Sequence, residues 1–225
     1  VMHADGSLWI AKFPSRKDRR DVGAWEAVCC DMARKSGIKV GDFKTERFND
    51  KYHTFLTKRF DRTEEGRRRQ FTSAMTLLGY SDGERSEGAS YLEIAEWIQR
   101  HCMNVEENLT ELFRRIVFNI AVSNCDDHLR NHGFIYYPKG WTLSPAYDLT
   151  PDPAGYGLKL NISETDNALD YDLALSIAPY LGIKKDNALE IVKQIKSIVA
   201  EWRKVAKRYG ICNSEQDLVE NAFRY

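Results

Sequence analysis

The order of apolar and polar blocks predicts strand, helix and strand over the first 60 residues. Residues 8–13 form a short apolar run that Pro14 closes, which is typical of a strand. Asp21 is a suitable N-cap for a helix that runs to about Lys35, and Gly37 follows as a left-handed stop. Residues 53–60 carry a second apolar run with strand character.

The next block, residues 62–87, is charged and contains glycine, apart from an apolar stretch at residues 75–80. We interpret this block as a long surface excursion. The change in composition near Arg62 is the one plausible boundary between two lobes, so it divides the chain into residues 1–62 and 63–225.

Helical periodicity dominates the part of the chain that follows. Residues 91–102 and 105–123 each place their apolar side chains on one face, and the second helix is apolar over a wide arc. We therefore expect it to be central. A polar loop at residues 124–131 then leads into a predicted β-hairpin at residues 133–143.

The C-terminal part is predicted to be helical as well. Asp186 is a candidate cap for a single helix over residues 187–209, whose apolar residues recur at helical spacing up to Gly210. Ser214 with Asp217 resembles a capping box at the start of a last helix.

Composition and charge narrow the class of protein. Lys plus Arg equals Asp plus Glu at 33 each, so the chain as a whole has no field that would attract nucleic acid or an anionic membrane. The run at residues 67–69 is most simply a solvated surface, and we expect no direct contact with nucleic acid. The five cysteines are odd in number and contain no CxxC pair, which favours a reducing cytoplasm over a disulfide or zinc framework.

Asp126, Asn131 and Asp148 are the residues that suggest chemistry. Transfer of a phosphoryl group requires a carboxylate that accepts a proton from the attacking hydroxyl, and oxygen ligands that hold Mg²⁺ against the phosphates. The Asp-x-x-x-x-Asn spacing of residues 126–131 is that of the protein-kinase catalytic loop, and Asp148 follows a short hairpin, like the metal-binding Asp of the DFG motif. The spacing alone indicates metal-assisted phosphoryl transfer.

A kinase also needs a lysine on a strand for the phosphates and a glutamate on a helix that holds this lysine. Lys12 and Glu26 fit these positions. The structural alternatives are that Lys12 only extends along the surface to water, and that Glu26 is an ordinary exposed helix residue. Asp127 is harder to place, and we interpret it as a surface residue rather than a partner inside the site.

Taken together, these segments resemble the HipA-like toxin kinases, the Ser/Thr kinase partners of bacterial toxin–antitoxin pairs. The resemblance covers nearly the whole chain. It is carried by residues 12–15, 58–62, 73–80, 126–131 and 145–149.

The resemblance implies an α+β, protein-kinase-like two-lobed fold, with a small β-containing lobe at residues 1–62 and a mostly helical lobe at residues 63–225. It implies ATP and Mg²⁺ as cofactors, a protein substrate such as an aminoacyl-tRNA synthetase, and a HipB-like DNA-binding antitoxin as partner. The site residues it implies are Asp126 as catalytic base, Asn131 and Asp148 on Mg²⁺, Lys12 on the phosphates with Glu26 holding it, the backbone of Lys58, Arg59 and Phe60 at adenine, and His128 near the nucleotide.

The family also carries a glycine-containing loop before the strand of Lys12, and a small N-terminal subdomain. Because this sequence begins after both, we expect it to be the core of a longer polypeptide. Backbone amides of such a loop cradle phosphates, so a chain without it is expected to bind nucleotide weakly.

Two other functions stay open. The chain could act as a kinase-like module that mainly docks an antitoxin, which gains weight if the natural protein also lacks the phosphate loop. It could also be a metal-dependent phosphohydrolase that uses Asp126, Asp127, His128 and Asp148, which would bind metal without ATP and would have no use for Lys12. Arg59, Asp61 and Arg62 are more simply a structural ion-pair cluster, and His132 is assigned no role.

Overall fold

The strands form two separate antiparallel sheets in the computed structural model of the protein, which describes residues 1–2, 6–48, 51–81 and 88–225. In the first sheet, β3 lies between β1 and β2. In the second, β5 lies between β4 and β6. The strand bounds are β1 Trp9–Lys12, β2 Phe43–Glu46, β3 Thr54–Lys58, β4 Phe71–Ser73, β5 Gly133–Tyr137 and β6 Gly140–Leu143.

The bounds of the α-helices are α1 Val22–Lys35, α2 Ala74–Leu77, α3 Tyr91–His101, α4 Val105–Ala121, α5 Tyr171–Ile177, α6 Lys185–Val199, α7 Trp202–Arg208 and α8 Asn213–Val219. Helix α1 lies between β1 and β2 in the chain, α2 to α4 lie between β4 and β5, and the remaining helices follow β6. Short 3₁₀ helices cover Leu129–Asn131, Ala178–Leu181 and Glu220–Ala222. The predicted α+β class is therefore confirmed.

Helix α4 is the centre of the helical region, as its wide apolar arc predicted. It packs against α3, α5 and α6, and Leu112, Phe113 and Ile116 on it are fully buried. The predicted hairpin that follows it is confirmed as β5 and β6.

Helix α1 begins and ends where the sequence predicted. The Asp21 carboxylate accepts a hydrogen bond from the amide of Ala24 at 3.2 Å, which satisfies one of the free donors of the first turn. Gly37, after the last turn, has φ +78°, a conformation that glycine adopts without steric penalty.

The C-terminal residues hold α1 from the side opposite the first sheet. The buried indole of Trp25 packs against Trp202, with ring centroids 6.0 Å apart, and against Phe223 at 5.9 Å. One carboxylate oxygen of Glu215 accepts from the Trp25 indole at 2.9 Å and from the Asp21 amide at 2.7 Å. Helix α1 is thus enclosed by β2 and β3 on one side and by α6 and α7 on the other.

The prediction of a surface excursion over residues 62–87 is wrong for its middle part. Residues 71–73 are the strand β4, which pairs with β5, and Ala74 and Met75 in α2 are buried. A strand of three residues is too short for alternation to be visible in the sequence. Residues 82–87 of the predicted excursion lie outside the described residues.

The single helix predicted over residues 187–209 is wrong, because the structure has two helices, α6 and α7, with a break at Ala200 and Glu201. The apolar stripe continues through the break, so periodicity could not reveal it. Asp186 lies inside the first turn of α6 rather than capping it, and α8 begins at Asn213 without a side-chain cap.

Within the residues that the structure describes, every helix is too short or too polar to cross a lipid bilayer. All five cysteines have free thiols, and Cys29 and Cys30 are buried in α1. Burial raises the pKa of the Cys30 thiol well above its usual value, so this side chain behaves as a small apolar core residue.

Candidate active site

A cleft of about 350 Å³ opens between the first sheet and the segment that follows β6. Of the residues predicted for the site, six line it: Lys12, Glu26, Lys58, Arg59, Phe60 and Asp148. The other three, Asp126, His128 and Asn131, do not line the cleft, although their neighbour Arg130 does.

Three aromatic rings form one wall of the cleft. Phe60 stacks on Tyr147 with ring centroids 5.8 Å apart, and Phe71 meets both rings edge-on at 5.5 and 6.5 Å. The Tyr147 hydroxyl donates to the carbonyl of Arg130 at 2.6 Å, and burial raises the pKa of this phenol. The rings are therefore fixed in place and offer a flat apolar surface to a planar ligand.

Lys12 connects three elements at the end of the cleft. Its ammonium lies 2.7 Å from a carboxylate oxygen of Glu26 on α1 and also contacts the carboxylate of Asp148. The partnership between Lys12 and Glu26 that the sequence predicted is thus present. Glu26 is not the exposed helix residue of the structural alternative, because it is only 3% exposed.

Burial and charge act in opposite directions on these groups. Burial lowers the pKa of Lys12, but the carboxylates of Glu26 and Asp148 outweigh it, so the pKa is raised above its ordinary value. Burial raises the pKa of Glu26 to about 7, against the influence of Lys12. Lys12 is therefore a cation in the folded protein. Ionisation of the buried Glu26 lowers the stability of the folded state.

We expect Glu26→Gln to stabilise the protein at pH 8 and to leave its stability at pH 5 almost unchanged. The folded state keeps a proton on Glu26 up to a pKa of about 7, whereas the unfolded chain releases it near pH 4.5, so stability falls as the pH rises through this interval. By linkage the loss approaches about 3 kcal/mol, and a glutamine does not suffer it. Urea unfolding without nucleotide at the two pH values measures the difference. An equal effect of the substitution at both pH values would contradict the raised pKa.

Asp148 has an unusual backbone conformation. Its φ is +62°, in the left-handed region that costs a residue other than glycine about 1–3 kcal/mol, and its side chain is 48% exposed. The segment before it is fixed to the loop between α1 and β2, because the amide of Ala146 donates to the carbonyl of Lys39 at 2.7 Å. The carboxylate of Asp148 therefore has a defined position beside Lys12.

The loop after α4 carries the other candidate residues. Asp126 is exposed, and the buried side chain of Asn131 donates from its amide nitrogen to the Asp126 carbonyl at 3.2 Å. This contact closes the loop and leaves the amide oxygen of Asn131, the atom a metal would require, without a protein donor among the described residues.

His128 has one buried ring nitrogen in need of a partner. Its Nε2 lies 3.1 Å from a guanidinium nitrogen of Arg130, which can only donate, so the proton belongs on Nδ1. Nδ1 is buried and has no partner among the described residues. A donor of this kind fits the predicted position of His128 near the nucleotide.

The backbone amides of residues 58–60 differ in what they can offer a ligand. The amide of Lys58 donates to the Asp42 carbonyl at 2.8 Å and that of Arg59 to the Leu8 carbonyl at 2.9 Å, so neither can donate to a ligand. Within the described part of the chain the amide of Phe60 has no such partner, and it remains the candidate donor.

The predicted ion-pair cluster beside this segment is confirmed. Asp61 lies 2.5 Å from the Arg59 guanidinium and 2.6 Å from that of Arg62. The hydrogen bond from Arg59 lowers the pKa of Asp61.

Asp127 is the main error of the sequence-based prediction, because it is 3% exposed and not a surface residue. One of its carboxylate oxygens accepts from Tyr91, Asn119 and His132. A signal was available: Asn119 lies in the apolar arc of α4, and a polar side chain at a buried position needs a partner.

The donor set is compatible with Mg²⁺ bound together with a nucleotide. Among the described residues, no group of three or more His, Cys, Asp and Glu side chains could hold a metal by itself. Asn131 and Asp148 would supply two oxygen ligands, and Mg²⁺ typically binds one or two protein groups and completes its shell with phosphate and water.

Comparison with known proteins identifies similar chains. A sequence model described as the HipA-like C-terminal domain matches residues 1–202. A putative kinase of Haemophilus influenzae is 34% identical over 190 residues, which cover 72% of this chain and 54% of the relative. The serine/threonine-protein kinase toxin HipA of Shewanella oneidensis is 25% identical over 142 residues, covering 55% of this chain and 33% of the relative.

The fold has a counterpart among solved structures. The complex of HipA, HipB and operator DNA from Shewanella oneidensis contains a chain that matches with a TM-score of 0.76 at 18% identity, covering 96% of this chain and 56% of that one. The chain therefore spans about half the length of this protein and between a third and about half of the curated relatives.

Proposed function

Because the chain belongs to the family of HipA-like C-terminal domains, we propose that it is the core of a protein kinase that transfers the γ-phosphate of ATP to a serine or threonine hydroxyl of a protein. The observation that carries the proposal is the position of Lys12, held at the end of a cleft between Glu26 and Asp148. A protein kinase requires an ion pair of this lysine and glutamate, with an aspartate close by for the metal.

The proposed mechanism assigns each side chain a separate task. Lys12 leaves its contact with Asp148 and takes the phosphates, while Glu26 keeps its position. Asp126, exposed at the loop, orients the attacking hydroxyl and accepts its proton. Asn131 and Asp148 would hold Mg²⁺, which when bound would neutralise the charge of the β- and γ-phosphates.

Binding of ATP tests the proposal without a known substrate. We expect the chain to bind ATP with Mg²⁺, and Asp148→Ala to weaken this binding by more than about tenfold, since even indirect partners of a metal typically account for 10- to 100-fold in its affinity. Isothermal titration calorimetry with and without Mg²⁺ measures both effects. A form extended upstream through the expected glycine-containing loop should bind more tightly.

The control is Asp186→Ala, which removes an exposed carboxylate from α6 and should leave ATP binding unchanged. If neither the chain nor its extended form binds ATP, the kinase proposal fails and the antitoxin-docking module takes its place. The phosphohydrolase has less support, because three hydrogen bonds already occupy Asp127.

We extend the proposal to partners and organisation. One solved structure with a matching fold is a complex of HipA with HipB and operator DNA, which supports a HipB-like DNA-binding antitoxin as partner. The proposed substrate is a protein of the aminoacyl-tRNA synthetase kind in the cytoplasm. Residues 1–62 would form the smaller lobe and residues 63–225 the larger one.

A further inference from the structure

Four polar side chains are buried together beneath the loop that carries Asp126 and Asn131. The centre is one carboxylate oxygen of Asp127, which accepts from the Tyr91 hydroxyl at 2.6 Å, from the Asn119 amide at 2.8 Å and from Nε2 of His132 at 2.8 Å. These donors come from α3, from α4 and from the residue before β5. Each of the four residues is at most 3% exposed.

The donors and acceptors in this cluster are well determined. Burial and the nearby Asp127 carboxylate raise the pKa of Tyr91 well above its ordinary value, so its hydroxyl keeps the proton and donates. Nε2 of His132 must donate to the carboxylate, and Nδ1 of this ring has no partner in the described part of the chain. Three donors are enough to make a buried carboxylate tolerable.

Asn119 connects this cluster to the beginning of the loop. Its amide nitrogen donates to Asp127, while its amide oxygen accepts from the side chain of Asn124 at 3.1 Å. Both ends of the Asn119 amide are therefore occupied, which fixes its orientation. Asn124 thus fastens the beginning of the loop to α4 directly, and His132, at its end, is connected to α4 through Asp127.

The candidate reactive residues lie between these attachment points. Asp126 directly precedes Asp127, and Asn131 directly precedes His132, whose carbonyl accepts from the amide of Ala74 at 2.7 Å. A rotation of the loop that displaced Asp126 or Asn131 would have to separate Asp127 from at least one of its donors.

We infer that Asp127 is a positioning residue for the phosphoryl-transfer site: it anchors the loop to Tyr91, Asn119 and His132 and thereby fixes Asp126 and Asn131. The inference rests on the proposed function, and it goes further by assigning a task to a buried residue that does not line the cleft. Asp127→Asn keeps the size of the side chain and one oxygen that can accept, but it removes the charge that strengthens all three hydrogen bonds. The loop should therefore loosen while the surrounding core stays packed.

A purely structural role would have a different signature, and α4 offers the comparison. Asn108 is a second buried asparagine of this helix, and its side chain bonds to Thr142, to the Leu143 amide and to the carbonyls of Met103 and Asn104. Asn108→Ala should lower the stability of the protein without touching the loop.

The experiment compares wild type, Asp127→Asn, Tyr91→Phe and Asn108→Ala. Tyr91→Phe removes one of the three donors to Asp127 and keeps the ring, so it tests the same anchor if Asp127→Asn does not fold. Asp127→Asn and Tyr91→Phe are the two anchor variants. In calorimetry, we expect their ATP affinity in the presence of Mg²⁺ to be about tenfold weaker than that of wild type. Their ATP affinity in the absence of Mg²⁺ should be unchanged. Hydrogen–deuterium exchange should increase over residues 124–132 in these two variants and remain at the wild-type level in Asn108→Ala.

The outcomes separate the two proposals. If the anchor variants keep the effect of Mg²⁺ and the protection of the loop, or if Asn108→Ala loses them equally, Asp127 has no positioning role. If wild type does not bind ATP at all, the kinase proposal fails, and the exchange data alone still decide whether Asp127 fixes the loop.

Discussion

Replacing Asp126 with asparagine is expected to reduce the rate of phosphoryl transfer roughly a thousandfold, within the range of about 10²–10⁴ typical of a general base. Asparagine cannot accept the proton of the attacking hydroxyl. The side chain of Asp126 is exposed, and its backbone carbonyl, which accepts from Asn131, remains in the variant. We therefore expect ATP affinity and stability to stay close to wild type. Single-turnover transfer of labelled γ-phosphate to a pool of serine- and threonine-containing peptides measures the rate.

Asp186→Asn is the matched control, because it neutralises another exposed carboxylate, in α6. It should transfer phosphate at the wild-type rate. A decrease of less than about tenfold in Asp126→Asn would exclude Asp126 as the base. A decrease that is accompanied by weaker ATP binding would point instead to a metal or phosphate contact.

Arg115→Ala should produce the largest loss of stability, about 3–5 kcal/mol, which is typical of removing one partner from a buried ion pair. Arg115 and Glu111 are one turn apart on α4, 2.8 Å from each other, and at most 5% exposed. Without the guanidinium, Glu111 is a buried charge whose remaining contact is the Lys39 amide at 3.2 Å, and the Ser144 carbonyl loses its donor. Urea unfolding measures the loss.

The double variant Glu111→Leu/Arg115→Leu distinguishes the cause. If the unpaired charge is responsible, two apolar residues should restore much of the stability that Arg115→Ala loses. Arg100→Ala is the exposed comparison: it breaks the i,i+4 pair with Glu96 on α3 and should change stability by no more than about 0.5 kcal/mol. Equal losses in Arg115→Ala and Arg100→Ala would show that burial of the pair has no energetic importance.

Long periodic segments and their end signals could be predicted from the sequence. Helices α1 and α4 follow from apolar spacing, and the ends of α1 from Asp21 and Gly37. Short elements could not be predicted in this way. The strand β4 has three residues and depends on its pairing with β5, which is distant in sequence, and the break between α6 and α7 leaves the apolar stripe intact.

In the candidate site, too, some contacts could be predicted from the sequence and others could not. Residue type and order were sufficient to predict the contact of Lys12 with Glu26, whereas the contact of Lys12 with Asp148 was not predicted. The burial of Asp127 depends on donors from three elements, and no spacing within its own loop encodes them. Whether the amides of Lys58 and Arg59 are free to bind a ligand likewise depends on residues distant in sequence, because the carbonyls of Asp42 and Leu8 accept from them.

The enclosure of α1 bears on the thermodynamics of ligand binding. This helix cannot tilt outward unless Glu215 gives up its two hydrogen bonds and Trp25 separates from Trp202. Glu26 therefore has its orientation before any nucleotide arrives, and Lys12 is already partly desolvated beside it. The conformational entropy of ordering this ion pair is lost when the chain folds rather than when the ligand binds, so a nucleotide meets a preorganised cation.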